Sequence, residues 1–140
     1  MGESRLVDSL SVVHRRLTRS LDRLLAEEGA TVDQWRVLRA IAAADGLLMG
    51  ELTDQVGIPG PSVTRIVDGL VDRALVYRTK SAPDRRRVAV HASEAGCTVL
   101  RRMDAIVAAH EQGVRDVLGE SAVHSLTRAA ARLGRLETSR

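Results

Sequence analysis

A mainly α-helical chain carrying one small β-hairpin is the fold class this sequence predicts, and three observations predict it. Apolar residues recur at helical spacing along most of the 140 residues, of which 44% are hydrophobic. Aromatic residues are almost missing: there is no Phe, and Trp35 and Tyr77 stand alone. Such a composition suits interlocking helices better than a β-sandwich, which draws on aromatic and β-branched residues. The helical period breaks once, between Leu75 and Ala92, where two alternating segments flank a turn.

Leu6, Leu10, Val13, Leu17, Leu21 and Leu24 recur at spacings of four and three, and Arg15, Arg16, Arg19, Asp22 and Arg23 fill much of the other face. This predicts a long amphipathic helix over about residues 4–28, stopped by Gly29, with a seam like that of a coiled coil. Thr31-Val-Asp-Gln34 fits a capping box that opens a second helix, with Trp35, Leu38, Ile41 and Ala42 inward, ending near Asp45-Gly46. A short helix over about 48–56 turns Leu48, Leu52 and Val56 inward, and Gly57 sits where a left-handed backbone is needed. Pro61 is placed as a first-turn residue of a fourth helix, which runs to about Arg73 with Val63, Ile66, Val67 and Leu70 inward.

Leu75 to Thr79 then favours a strand, Ser81-Ala-Pro-Asp84 a turn, and Arg87 to Ala92 a second strand. Ser93 can cap a fifth helix carrying Val99, Met103, Ile106, Val107, His110, Val114 and Val117 on one side, and Gly119 breaks it. A last helix over about 121–137 carries Val123, Leu126, Ala130, Leu133 and Leu136. The expected organisation is one winged helix-turn-helix domain over 1–140, with a central module at about 31–92 and flanking helices at about 4–28 and 93–137. Neither the first helix nor the last finds an obvious partner within a core of this size, so their seams are expected to meet a second subunit. The plainer alternative is a monomer whose terminal helices pack on each other.

The composition narrows the function classes. No apolar run approaches the roughly 20 residues of a membrane span. Met1 to Arg5 opens into a charged stretch with no secretory signal, and a single cysteine, Cys97, forms no internal disulfide, so a cytoplasmic setting is expected. No phosphate loop, metal motif or nucleophile signature is present, and the four histidines are dispersed, so neither an enzyme nor a metal or cofactor site is expected.

Charge is distributed more tellingly than its net value of +3 suggests. No basic residue lies between Ala40 and Thr64, whereas Val76 to Val88 holds Arg78, Lys80, Arg85, Arg86 and Arg87 against one acid, Asp84. A basic cluster beside a helix-turn-helix marks an electrostatic contact site, although a solvated loop would share the pattern. Met49 to Val67 supplies that helix-turn-helix, with Gly57 at the turn and Ile58, Val63 and Ile66 as the lock. On the exposed face of its second helix, Pro61, Ser62, Thr64 and Arg65 present the N-terminal end to a DNA major groove, where Arg65 can pair with guanine O6 and N7. Ser62 as a plain helix cap, and Arg65 as a partner of Asp68 or Asp84, are the structural alternatives. In the hairpin, Arg86 is expected to point away from Arg85 and Arg87, one arginine entering a minor groove, with Asp84 and Asp68 acting as braces of the wing.

Val63-Thr-Arg-Ile-Val-Asp68, Leu75-Val-Tyr-Arg78, Asp84-Arg-Arg86 and Ser93-Glu-Ala-Gly96, together with Gln34-Trp-Arg-Val-Leu38, closely resemble the MarR family of bacterial regulators over about residues 5–136. The resemblance implies a two-fold dimer with interlocked terminal helices. The Val63–Asp68 helix would enter the major groove and the Asp84–Arg86 wing the adjacent minor groove of a palindromic operator. It further implies a repressor released by a small aromatic or phenolic anion. Two positions depart from the family: Leu48-Met49-Gly50 stands where a Ser or Thr is common, and Gly60-Pro61 replaces a polar pair.

For such an effector, His14, Leu17, Trp35, Met103 and His110 are the candidate contacts, each with a plain core reading beside it. Cys97 just after Gly96 offers a redox-sensing alternative, since a helix N-terminus lowers a thiol's pKa. A further alternative is a protein-interaction module on the same fold that does not bind an operator.

Overall fold

The computed structural model describes residues 5–80 and 87–137; the turn expected at Ser81–Asp84, with Arg85 and Arg86, lies outside the described residues. The order is α1 (Leu6–Leu25), α2 (Val32–Ala42), β1 (Leu47–Leu48), α3 (Met49–Val56), α4 (Gly60–Asp72), β2 (Val76–Lys80), β3 (Val88–Ala92), α5 (Glu94–Leu118) and α6 (Glu120–Glu137). The chain forms two compact units, Met1–Asp104 and Ala105–Arg140, and α5 runs from the first into the second.

Boundaries follow local chemistry. After α1 one turn of 3-10 helix, Ala26–Glu28, ends at Gly29 with φ +65°. There the N–H of Ala30 bonds Leu25 O at 3.2 Å and that of Gly29 bonds Ala26 O at 2.9 Å, which satisfies carbonyls a helix end leaves open. The expected capping box is present: Gln34 N–H donates to Thr31 Oγ1 at 3.2 Å, and Thr31 N–H to Gln34 Oε1 at 3.0 Å. Asp22 adds a second cap, its Oδ1 accepting the Val32 N–H at 2.7 Å, so a carboxylate of α1 sits at the positive end of α2. Gly57 closes α3 at φ +64°, and Pro61 occupies the first turn of α4.

The core of the first unit is aliphatic. Leu25, Val37, Leu38, Ile41, Leu52, Val63, Val67, Val90 and Met103 are fully buried. Each contributes about 1.5–3 kcal/mol of transfer free energy relative to exposure. In α4 the lock differs slightly from expectation. Ile58 and Val63 are buried, but Ile66 is only half-buried, and Val67 and Leu70 fill the deep positions.

The sheet has a strand the sequence did not announce. Its order is β1-β3-β2, all antiparallel, with Leu47 opposite Val90 and Tyr77 opposite His91. The expected hairpin is therefore the larger part of a three-stranded wing. Leu48, expected inside α3, is instead the last residue of β1 and precedes the first turn of α3.

The terminal elements leave their apolar seams open. In α1, Leu6, Leu10, Val13, Leu17 and Leu24 are exposed, and only Leu21 and Leu25 are buried. In the second unit, Val117 on α5 and Leu126, Leu133 and Leu136 on α6 are exposed, Val117 to 84%. Among the described residues no helix is long and apolar enough to cross a membrane.

Candidate nucleic-acid interface

Helix α4 presents two faces because its apolar residues fall at spacings of three and four. Val63, Val67 and Leu70 face the core, while Pro61, Thr64, Arg65 and Asp68 are exposed and Ser62 is half-buried. No side chain caps the helix; the N–H groups of Ser62 and Val63 both bond Pro59 O, at 2.9 and 3.1 Å. The capping alternative for Ser62 is thus not realised. Thr64 Oγ1 donates back to Gly60 O at 3.1 Å, which fixes the hydroxyl's proton on the helix and leaves its oxygen to accept.

Arg65 makes no ion pair among the described residues. The alternative partner Asp68 is engaged elsewhere: its Oδ1 accepts from the Arg78 guanidinium on β2. Asp68 therefore braces the wing to α4, one turn beyond Arg65, and the cation it holds is Arg78 rather than Arg65. Lys80 on β2 and Arg87 before β3 are exposed. Arg85, Arg86 and the second expected brace, Asp84, fall outside the described residues.

Several arginines that a charge count treats alike serve the scaffold. Arg36 on α2 donates to Val56 O, the last carbonyl of α3, and pairs with Asp33 at 3.5 Å. Arg73 donates to Glu28 O and Gly29 O, both at 3.2 Å, tying the end of α4 to the turn after α1. Arg102 grips the Glu28 carboxylate at 3.0 Å. Nothing in their spacing separates these from contact arginines, because their partners are distant in sequence.

His91 was missed as a structural residue. It stacks on Tyr77 across the strands, ring centroids 5.0 Å apart and planes 10° apart. Its Nε2 lies 2.9 Å from Thr79 Oγ1. Gly46, at φ +80°, packs so close that a Cβ there would meet the His91 ring at 2.9 Å.

The effector candidates fall in different places. His14 is exposed in a groove on α1, and Leu17 is exposed on the α1 seam. Trp35 is half-buried on α2; its Nε1–H donates to Asp104 Oδ1 at 2.8 Å and the Arg39 guanidinium lies 5.4 Å from its ring centroid. Met103 is completely buried, so it belongs to the core of a single chain. His110 is half-buried on the part of α5 that lies in the second unit, and Cys97 is half-buried in the first turn of α5.

Known proteins match this arrangement. A family model described as the MarR family matches residues 28–87, from the turn before α2 to the residue that precedes β3. The chain is 29% identical over 114 residues to the HTH-type transcriptional regulator FarR of Neisseria gonorrhoeae, covering 81% of this chain and 78% of that protein. Among solved structures, the transcriptional repressor CouR bound to a 23-mer DNA duplex superposes with a TM-score of 0.87 at 27% identity, covering 92% of each chain. NadR in complex with 4-hydroxyphenylacetate gives 0.80 at 25% identity, covering 96% of each chain.

Proposed function

We propose that this chain, which over residues 28–87 is similar to the MarR family of transcription regulators, is a regulator rather than an enzyme and represses transcription by binding a palindromic operator as a homodimer. The observation that carries this reading is the face of α4. Ser62, Thr64 and Arg65 lie at the N-terminal end of a helix whose other face is locked in the core, Arg65 without an ion pair among the described residues, and the Asp68–Arg78 pair joins that helix to a basic strand. A helix N-terminus of this width enters a major groove, and a free arginine there selects guanine. Pro61, Arg78, Lys80, Arg87 and the arginines Arg85 and Arg86 complete the proposed contact set, with Asp84 as second brace. Phosphate contacts by the basic strand position the helix but carry no sequence information.

Dimerisation is supported by the open seams. Leucines exposed in a row on α1, and others on α6, are more than a monomer ordinarily leaves to water. A closed two-fold dimer would present two α4 helices and so require inverted half-sites.

Release by a small aromatic or phenolic anion is the proposed signal. Trp35 with Arg39 over its ring joins an aromatic wall to a cation. The ring suits a flat ligand and the guanidinium suits its carboxylate. His14 and Leu17, both exposed on α1, remain the proposed neighbours of that ligand. The similar protein NadR was solved with 4-hydroxyphenylacetate, a phenolic carboxylate, which supports the class.

Selection from random duplex DNA by the purified chain, at fixed salt, tests the central reading. A recovered inverted repeat with half-sites about one helical turn apart is the expected outcome. Recovery of no symmetric sequence would count against it.

A further inference from the structure

Helix α1 carries charge outside the proposed operator contacts. Arg15, Arg19 and Arg23 are exposed at steps of four residues and make no ion pair among the described residues. They line one ridge of an open groove whose other ridge is His14, Thr18 and Asp22. The one carboxylate in the groove, Asp22, is engaged by the Val32 N–H at 2.7 Å. At 100° per residue the three arginines span an arc of about 80°, centred roughly 150° around the helix from the Leu6–Leu24 seam. A partner that covers the seam therefore leaves this face in water. Like charges at this spacing repel by a few tenths of a kcal/mol per pair, so the row is a cost to the isolated helix.

The shape of the site decides its occupant. One helix alone lines the groove, so it cannot enclose a small molecule as a ligand pocket does. Its three guanidiniums are spread over about 12 Å of helix axis, which suits an extended polyanion. A second copy of this chain offers no match: among the described residues no helix carries three acids at steps of four, and of the pair Asp68 and Asp72 the first already holds Arg78. Nor does α4 bring its own bound groove here. Arg73, at the C-terminal end of α4, contacts the turn after α1, so the end of α1 lies most of the roughly 20 Å length of α4 away from its reading end.

We propose that the arginine face of α1 binds the phosphate backbone of a second nucleic-acid duplex without regard to sequence, so that a chain seated on one duplex captures another. This goes beyond operator recognition and uses none of its residues. The test immobilises a duplex, saturates it with the full chain, and offers a fluorescent duplex of unrelated sequence. The second duplex is retained, retention falls as salt rises, and R15Q/R19Q/R23Q lowers retention about tenfold while binding of the first duplex is unchanged. Arg19→Glu alone lowers it in the same direction, and the triple Lys variant, which keeps the charge, restores it. Retention of no second duplex by the unaltered chain, or equal retention by the glutamine variant, overturns the proposal and leaves operator binding standing. Failure to bind even the first duplex overturns both.

Discussion

Gly96 lies against the backbone of Leu75, so close that a Cβ on Gly96 would stand 2.0 Å from the Leu75 carbonyl oxygen and 3.0 Å from its carbon. That same oxygen accepts the Ser93 N–H at 2.9 Å. Ser93 Oγ in turn accepts the Gly96 N–H at 3.0 Å and donates to Ala74 O at 2.7 Å. The first turn of α5 is thus fastened to the joint between α4 and the wing by backbone contacts that only glycine permits.

Gly96→Ala is expected to destabilise the fold by about 3 kcal/mol, the upper end for overpacking, because both clashing groups are backbone and neither can swing aside. Thermal denaturation followed by circular dichroism measures it. A melting temperature within a degree or two of the parent would show that α5 can move off Leu75 freely.

Ala74 is the mirror case. It is the one non-glycine residue at positive φ, +58°, among the described residues, and it occupies the left-handed position after α4. Leu75 N–H bonds Leu70 O at 2.9 Å and Ala74 N–H bonds Val71 O at 2.9 Å, the paired bonds of a Schellman ending. An L-residue there costs about 1–2 kcal/mol, partly offset by glycine's greater freedom in the unfolded chain. Ala74→Gly is therefore expected to raise stability by up to about 1 kcal/mol, read as a higher urea midpoint at unchanged slope. A lower midpoint would mean the chain pins this conformation without strain.

These two positions show what the sequence could and could not reveal. Periodicity placed six helices and the two longer strands, and the caps at Thr31, Gly57 and Ser93 were legible because their partners lie within four residues. Strand β1 was not, since two residues are too few to display alternation. Its partner, β3, lies some forty residues downstream. Ala74 could not be read as left-handed, as nothing in an alanine announces positive φ. For the interface, the exposed face of α4 was readable from spacing. The sorting of arginines was not: Arg36, Arg73 and Arg102 bond carbonyls and a carboxylate 20, 44 and 74 residues away in sequence.

The Asp68–Arg78 bridge predicts a split between stability and affinity. Its side chains are 57% and 36% exposed, so breaking it costs the fold at most about 1 kcal/mol. Asp68→Asn also removes a negative charge from the proposed DNA face, which by itself would strengthen binding. If the bridge holds the wing at its working angle, affinity for duplex DNA falls instead, by about threefold to tenfold, with a nearly unchanged melting temperature. Fluorescence anisotropy at fixed salt separates the two, and tighter binding by Asp68→Asn would reduce the bridge to a surface ion pair.

Arg65 and Lys80 differ in kind, and their variants should too. Arg65 makes no ion pair among the described residues and lies at the proposed reading end of α4, so Arg65→Ala is expected to cost about 1–3 kcal/mol on the preferred sequence and to relax preference at one base pair per half-site. Lys80, exposed on the basic strand, is proposed to contact phosphates only, and Lys80→Ala should then weaken all sequences alike. Its signature is the salt dependence: the slope of log K against log salt should fall by about 0.9 for each phosphate contact removed. Binding titrations over a salt series, on matched and mismatched duplexes, resolve the two effects. If Arg65→Ala changes the slope alone and leaves the sequence preference intact, α4 touches phosphates only, and the bases are read by some other part of the chain.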